Sequence, residues 1–179
     1  MEFEGELTNL CWSKSSTTSF IALCNDKKLH IINPKFSSSR VKEENENKIK
    51  AAKEAYDANT ERVLEWNFIE EDDAQYKDGS RLVINFENEI KHVAYHSKGD
   101  YFATVSPRAL RANDQVFVHS LSKGTSQRPF TKSKGNIVQV LFHQTKPILF
   151  VLTHQNAYLY NLQKQVNKFN MELLILNVL

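Results

Sequence analysis

A unit of three short apolar runs, separated by turn residues, occurs three times along the chain. The runs of the last copy lie at residues 137–142, 148–153 and 157–160, the middle copy spans residues 90–121, and the first copy lies within residues 7–34. Each run is too short for a helix and is rich in β-branched and aromatic residues, which is typical of strands. Tyr95-His96 of the middle copy corresponds to Phe142-His143 of the last copy, 47 residues later.

Repeats of this kind and spacing predict consecutive blades of a β-propeller. Each blade buries its two faces only against its neighbours, so its strands can be apolar at nearly every position. We therefore predict an all-β fold with a first blade at residues 1–35, a second at 79–125, a third at 126–168 and an apolar tail at 169–179. A single open sandwich is the alternative, and the Gly-His and Trp-Asp dipeptides typical of many propeller repeats are absent from the sequence.

A charged insertion, residues 36–78, separates the first two predicted blades. Residues 40–80 contain seven basic and twelve acidic residues, a net charge of −5. Helix-forming residues dominate the middle of the insertion, and a thin apolar stripe is formed by Ile49, Ala52, Tyr56 and Val63. We expect a mobile or surface-hugging helical insertion, and the alternative is a helix that binds a partner.

The charge balance points to a polyanionic partner. The formal net charge of the chain is only +2, but residues 89–168 contain eleven basic and three acidic residues, a net charge of +8.

The two cysteines, Cys11 and Cys24, have no disulfide-framework or metal-site spacing, which favours a reduced, intracellular chain. We expect neither a membrane span nor an export signal, because no apolar run is long enough and the first ten residues are acidic.

Catalytic and metal-binding motifs are missing from the sequence. The six histidines have no ligand spacing with a cysteine or carboxylate partner, and His96 and His143 belong to different repeats. There is no Gly-x-Ser-x-Gly elbow and no glycine-rich phosphate loop. We predict a protein that is not an enzyme and uses no cofactor and no small-molecule substrate.

The connection Ser126–Gly135, "SQRPFTKSKG", combines a proline, an aromatic residue and three positive charges between two predicted blades. Pro129 restrains the backbone, and Phe130 is expected to anchor the connection between blades. The cations can then point outward and contact phosphates, or an assembly partner, without reading sequence. The candidate contact residues are Lys123, Arg128, Lys132 and Lys134. The alternative is a solvated connection whose charges serve solubility.

Three segments closely resemble the Block-of-proliferation family, the eukaryotic ribosome biogenesis WD-repeat proteins. They are "HSKGDYFATVS" (96–106), "LSKGTSQRPFTKSKGNIVQVLFH" (121–143) and "LYNLQKQ" (159–165). They carry the family's Gly-Asp-Tyr and Ser-Gln-x-Pro-Phe-x-x-Ser-x-Gly patterns, and Gln144 replaces the proline of its Phe-His-Pro pattern. Trp66 and the run 79–82 resemble the family's entry into its second blade.

The resemblance, specific over about residues 66–165, implies a partial WD-repeat β-propeller, with about three blades of an expected seven, from a longer protein. It implies a non-catalytic scaffold for assembly of the large ribosomal subunit and maturation of its RNA, located in the nucleolus and nucleoplasm. The implied partners are a Pescadillo-type protein, a second WD-repeat protein and the large-subunit precursor particle with its ribosomal RNA. The alternative is a WD-repeat adaptor that binds peptides and is unrelated to ribosomes. We expect a fragment with an unpaired strand edge on each side.

Overall fold

A computed structural model describes residues 5–13, 15, 19–130 and 135–163, and the backbone of residues 166–172. The strands of these residues are β1 (Leu7–Trp12), β2 (Ile21–Asn25), β3 (Lys28–Ile32), β4 (Glu65–Phe68), β5 (Ser80–Asn85), β6 (His92–Tyr95), β7 (Tyr101–Val105), β8 (Val116–Ser120), β9 (Thr125–Gln127), β10 (Ile137–Phe142), β11 (Ile148–Thr153), β12 (Asn156–Asn161) and β13 (Val166–Glu172). The helices are α1 (Ser39–Ala58), α2 (Ala74–Lys77) and a 3-10 turn at Ala112–Asp114. No helix in these ranges is both long and apolar enough to span a bilayer.

The strands form three antiparallel sheets. Their orders are β1-β2-β3-β5-β4, β6-β7-β8-β9 and β10-β11-β12-β13. The first strands of the sheets, β1, β6 and β10, lie next to one another, so the sheets are arranged like consecutive blades around one side of an axis. Strand and turn patterning in the sequence therefore predicts the first three strands of every sheet correctly.

Two apolar clusters hold the sheets together face to face. The cluster centred on the first and second sheets includes Phe20, Leu29, Ile84, Phe102 and Phe117. The cluster between the second and third sheets includes Val105, Phe130, Ile137, Leu149 and Tyr160. Because each cluster draws side chains from two sheets, neither sheet of a pair buries its apolar face alone.

The sheets begin and end at different residues from the predicted segments. Strand β5 was expected to open the second blade but pairs with β3, Leu29 opposite Ile84, and so completes the first sheet. Strand β9 likewise adds a fourth strand to the second sheet, and β13 runs from the predicted third blade into the predicted tail. Strand β9 has only three residues and β13 is mostly polar, so both lack the apolar pattern that marked the other three strands of their sheets. Residues 173–179 of the tail lie outside the described residues.

The insertion contains the expected helix, α1, and one face of α1 packs against the core of the first two sheets. Ile49, Ala52 and Tyr56 of the predicted stripe are buried in the first apolar cluster, whereas Val63 lies beyond the helix and is 37% exposed. Polar contacts add to the packing of this thin stripe. Asn45 is fully buried, accepts a hydrogen bond from the Ser19 backbone N–H at 3.0 Å and donates to the Ser19 carbonyl at 2.9 Å.

The helix covers one end of the first two sheets, which we call the helix end. Lys48 Nζ donates to the Gly99 carbonyl at 3.2 Å, in the turn between β6 and β7. Gly124, in the turn between β8 and β9, lies so close to α1 that a Cβ atom there would be 2.4 Å from the Tyr56 nitrogen. A helix inserted after the third strand of the first sheet therefore also packs against the second sheet.

Glu46 connects α1 to the last strand of the first sheet. Its carboxylate accepts hydrogen bonds from Arg81 Nε at 2.7 Å, Asn33 Nδ2 at 2.6 Å and the Tyr76 hydroxyl at 3.1 Å. The Arg81 guanidinium also lies 3.5 Å from the centroid of the Tyr76 ring. An arginine that bonds a carboxylate and stacks on an aromatic ring is held in one orientation, so these contacts fix α1 and α2 relative to β5.

Candidate functional site

The connection that starts at Ser126 begins inside the protein. The Ser126 hydroxyl oxygen accepts a hydrogen bond from Trp66 Nε1 at 2.9 Å and lies 2.9 Å from His119 Nδ1. The other ring nitrogen, Nε2, lies 3.0 Å from the Thr104 hydroxyl. Trp66 is on β4 of the first sheet and the other three residues are on the second, so the chain of hydrogen bonds joins the two sheets. This role of Trp66 replaces the predicted one, entry into the second blade.

His119 is fully buried, and its ring stacks on Phe102 with 4.5 Å between centroids. Burial lowers the pKa of His119 to about 3, because a charged imidazolium would lose its hydration. A neutral imidazole has one donor and one acceptor nitrogen, which suits a position between two hydroxyl groups. His119 is therefore a structural residue beneath the connection.

Arg128 does not point freely outward as expected. Its Nε donates to Asp114 Oδ1 at 2.5 Å, and its guanidinium carbon lies 5.3 Å from the centroid of Phe117. Asp114 is only 4% exposed, so its carboxylate needs a charged partner. Arg128 consequently supports the fold at this position, and its charge is offset by that of Asp114.

Phe130 is 5% exposed and lies between the second and third sheets. Its ring meets that of Tyr160 edge to face, with 4.9 Å between centroids. Pro129 precedes it and lines the cleft described next. Lys132 and Lys134 lie outside the described residues.

A cleft of about 590 Å³ opens between the second and third sheets. Three exposed lysines line it, Lys98, Lys123 and Lys146, and none of its lining residues is an aspartate or glutamate. The lysines come from the β6–β7, β8–β9 and β10–β11 turns, which all lie at the helix end of the sheets. Within the described ranges none of the three forms an ion pair. We call this feature the basic cleft.

Histidines shape two of the turns that carry these lysines. His96 Nδ1 accepts a hydrogen bond from the Lys98 backbone N–H at 3.2 Å, and His143 Nδ1 accepts from the Lys146 backbone N–H at 3.1 Å. Burial, and then the nearby Lys98 charge, lower the pKa of His96. The equivalent positions of the two histidines in the repeats thus have a structural purpose. Among the residues that the structure describes, no three potential ligands form a metal-binding group.

The carboxylate of Asp100, at the end of the β6–β7 turn, is already engaged. It accepts hydrogen bonds from the Ser122 backbone N–H at 2.9 Å and from the Ser120 hydroxyl at 3.1 Å, and Lys48 Nζ lies 3.7 Å away. These contacts offset the negative charge next to the basic cleft. The cleft therefore offers a positive surface to a negatively charged ligand.

Of the three lysines of the basic cleft, only Lys123 is predicted from the sequence as a contact residue. Lys98 and Lys146 are separated by 48 positions along the chain. The repeats carried a signal that could have found them, because each lysine follows one of the two equivalent histidines within three residues. Superimposing the turns of successive repeats would have placed both lysines at the same end of neighbouring sheets.

Comparison with known proteins gives two kinds of similarity. No protein-family model matches the chain. The ribosome biogenesis protein BOP1 homolog of Aedes aegypti is 42% identical over 161 residues, which cover 88% of this chain and 18% of the relative. Ribosome biogenesis protein bop1-A of Xenopus laevis is 35% identical over 162 residues, which cover 90% of this chain and 22% of the relative. The chain thus spans about a fifth of the length of these relatives.

Solved structures are similar in fold alone. A structure of U3-55K aligns with a TM-score of 0.59 at 10% identity, covering 96% of this chain and 40% of that one. The crystal structure of the RRP9 WD40 repeats aligns with a TM-score of 0.57 at 10% identity and with the same coverage. The fold is therefore a partial WD-repeat β-propeller, and each of the three sheets corresponds to one blade.

Proposed function

Since the chain belongs to the BOP1 family of ribosome biogenesis proteins, as a segment of the family's longer members, we propose that it serves as a scaffold in ribosome biogenesis. The observation that carries this proposal is identity of 35–42% to relatives with that name over about 90% of the chain. The scaffold supports assembly of the large ribosomal subunit and maturation of its RNA, and it is not itself an enzyme. It works in the nucleolus and nucleoplasm.

The basic cleft is the proposed contact with precursor ribosomal RNA. Its lysines sit on turns held by hydrogen bonds, so their charges are presented at a fixed end of two blades. Lysine ammonium groups neutralise phosphates without distinguishing bases, which suits a scaffold that positions RNA. Lys132 and Lys134 of the connection are proposed as further RNA contacts, separate from the basic cleft, whereas Arg128 supports the fold through Asp114.

We also propose that the chain binds protein partners. By family resemblance they are a Pescadillo-type protein and a second WD-repeat protein within the large-subunit precursor particle. Blades of a propeller present turns and edges to several partners at once while their cores stay fixed. This property supports a scaffold role for the chain.

The test measures binding of a labelled transcript of the large-subunit ribosomal RNA precursor over a salt series. We expect log Kobs of the unchanged chain to fall linearly with log salt concentration. Replacing Lys98, Lys123 and Lys146 by glutamine should reduce that slope by about 2, since each lost phosphate contact on single-stranded RNA accounts for roughly 0.7. The matched control replaces three exposed lysines away from the cleft, Lys27, Lys28 and Lys77, with the same change in net charge.

Equal slopes for the two triple variants would contradict RNA binding at the basic cleft. Absence of any binding by the unchanged chain would instead favour the peptide-binding adaptor. A third variant, Arg128→Gln, should lower the melting temperature because it leaves the buried Asp114 carboxylate without its partner. Its salt slope should remain that of the unchanged chain.

A further inference from the structure

The loop of residues 107–112 between β7 and β8 presents an apolar side chain to solvent at the end of the sheets opposite the helix end. Leu110 is 96% exposed. Arg108 and Arg111, on either side of it, are also exposed. Within the described part of the chain, neither guanidinium takes part in an ion pair. The basic cleft lies at the other end of the sheets and does not include this loop.

Hydrogen bonds close the base of the 107–112 loop. The Ser106 backbone N–H donates to the Gln115 carbonyl at 2.8 Å, and the Ala109 N–H donates to the Ser106 carbonyl at 3.1 Å. The Asp114 N–H donates to the Arg111 carbonyl at 2.9 Å, which forms the 3-10 turn. These bonds fix the backbone on both sides of Leu110.

Residues outside the loop also support it and the segment that follows it. Leu110 N–H donates to Asn88 Oδ1, in the connection from the first blade, at 3.4 Å. Asp114 pairs with Arg128 at the end of the second blade, and Gln115 Oε1 accepts from the Ile137 N–H of the third blade at 3.3 Å. Leu110 is therefore exposed on a supported loop, so little conformational entropy would be lost when a partner binds it.

The chemistry of the loop favours a protein over RNA. A single exposed leucine is common, but here it lies between two arginines that have no acidic partner among the described residues. Arginine is enriched in the parts of protein interfaces that contribute most to affinity, and a leucine is suited to an apolar pocket. A phosphate contact would engage the two arginines but give the exposed leucine no role, and the loop has no aromatic side chain on which a base could stack.

We propose that the 107–112 loop is a docking site for a protein whose surface has an apolar pocket for Leu110 and carboxylates at its rim for Arg108 and Arg111. The positive charges set the orientation and speed of association, and burial of the leucine slows dissociation. This partner binds at the end opposite the basic cleft, so the scaffold can hold RNA and protein together.

The first experiment places the photo-reactive residue p-benzoylphenylalanine at position 110, or at position 36 as a control, in the full chain. Phe36 is a suitable control because it is 71% exposed and lies by the start of α1. After irradiation in cell extract, mass spectrometry identifies the cross-linked segments. We expect position 110, and not position 36, to cross-link to a protein segment in which apolar residues lie beside aspartates or glutamates.

The second experiment measures the affinity of that segment, as a purified peptide or domain, for chain variants. Leu110→Ser should weaken binding by 10-fold or more, and Arg108→Gln with Arg111→Gln should weaken it and reduce its dependence on salt. Melting temperatures should not change, because all three side chains are exposed. Cross-linking of position 110 to RNA, to a segment without carboxylates or to nothing would overturn the proposal, as would unchanged affinity of either variant.

Discussion

At the scale of single residues, His119 shows how the two sheets depend on a neutral imidazole. It occupies the centre of a chain of hydrogen bonds from Trp66 to Thr104 and has no exposed surface. Its folded-state pKa of about 3 is far below the value of about 6.5 for an unfolded histidine. His30 has the same direction of shift, to about 4, because of burial and then the Lys28 charge.

Acid should therefore destabilise the chain above the pH at which its carboxylates titrate. The contribution of His119 is fully present above pH 6.5 and is lost as the pH falls towards 3, because only the unfolded state takes up the proton in that window. Each such histidine lowers the unfolding free energy by about 1.4 kcal/mol per pH unit at most. We expect the unfolding free energy, measured by urea unfolding, to decrease from pH 6.5 to pH 5 by up to this amount per pH unit for each such histidine.

Two variants test whether His119 causes this dependence of the unfolding free energy on pH. His119→Gln should be less stable at pH 7.5, since glutamine does not reproduce the ring packing, and its pH slope should be smaller by up to one proton. His154→Gln, at an exposed position, should leave both quantities unchanged. An unchanged slope in the His119 variant would show that protonation of other groups causes the acid sensitivity.

Among the secondary-structure elements, α1 has the position that the sequence predicted least well. An insertion with a net charge of −5 could have lain in solvent, yet its helix closes the helix end of two blades. The close approach at Gly124 requires a glycine for two reasons. Its φ is +56°, and a Cβ atom would meet the backbone of α1 at 2.4 to 2.8 Å.

Gly124→Ala should separate α1 from the second blade. We expect a loss of unfolding free energy of about 3 kcal/mol or more, since the left-handed backbone alone costs on the order of 1 kcal/mol and the clash adds to it. Gly135→Ala is the matched control, because Gly135 has φ +85° but nothing within 4 Å of its Cβ position. Chemical unfolding measures both variants, and equal losses would mean that the helix contact adds nothing.

At the scale of the whole molecule, the faces that point away from the second blade expose apolar side chains. On the third sheet Leu141 lies opposite Phe150, and they are 51% and 42% exposed. On the first sheet Leu10 and Trp12 are 58% and 38% exposed. A sheet face of this kind is normally covered by the next blade.

The isolated chain should therefore self-associate. Sedimentation velocity at micromolar concentrations is expected to show dimers or larger species, and Leu141→Glu with Phe150→Glu should shift the chain towards monomer. Val63→Glu, at a position of similar exposure on another surface, should not. A single monomeric species of the unchanged chain across the concentration range would contradict this expectation.

The three-strand pattern of each blade and the presence of a helix in the insertion follow from local features of the sequence. Strands such as β10, β11 and β12 were readable because alternation, branched residues and turns are local properties of the chain. The histidines at equivalent repeat positions were also visible, although their turn-forming hydrogen bonds were not. The family motifs lie in the same local segments.

Contacts between distant segments, in contrast, are visible only in the folded chain. Strand β5 joins β3 across an insertion, Arg128 pairs with Asp114, and Lys98, Lys123 and Lys146 meet in one cleft. Each of these depends on the relative placement of elements that the local pattern leaves undetermined, because a side chain's partner is set by packing and not by its neighbours in sequence. The burial of α1 has the same origin, since its thin stripe suffices only where Asn45 and Gly124 allow close contact with two blades.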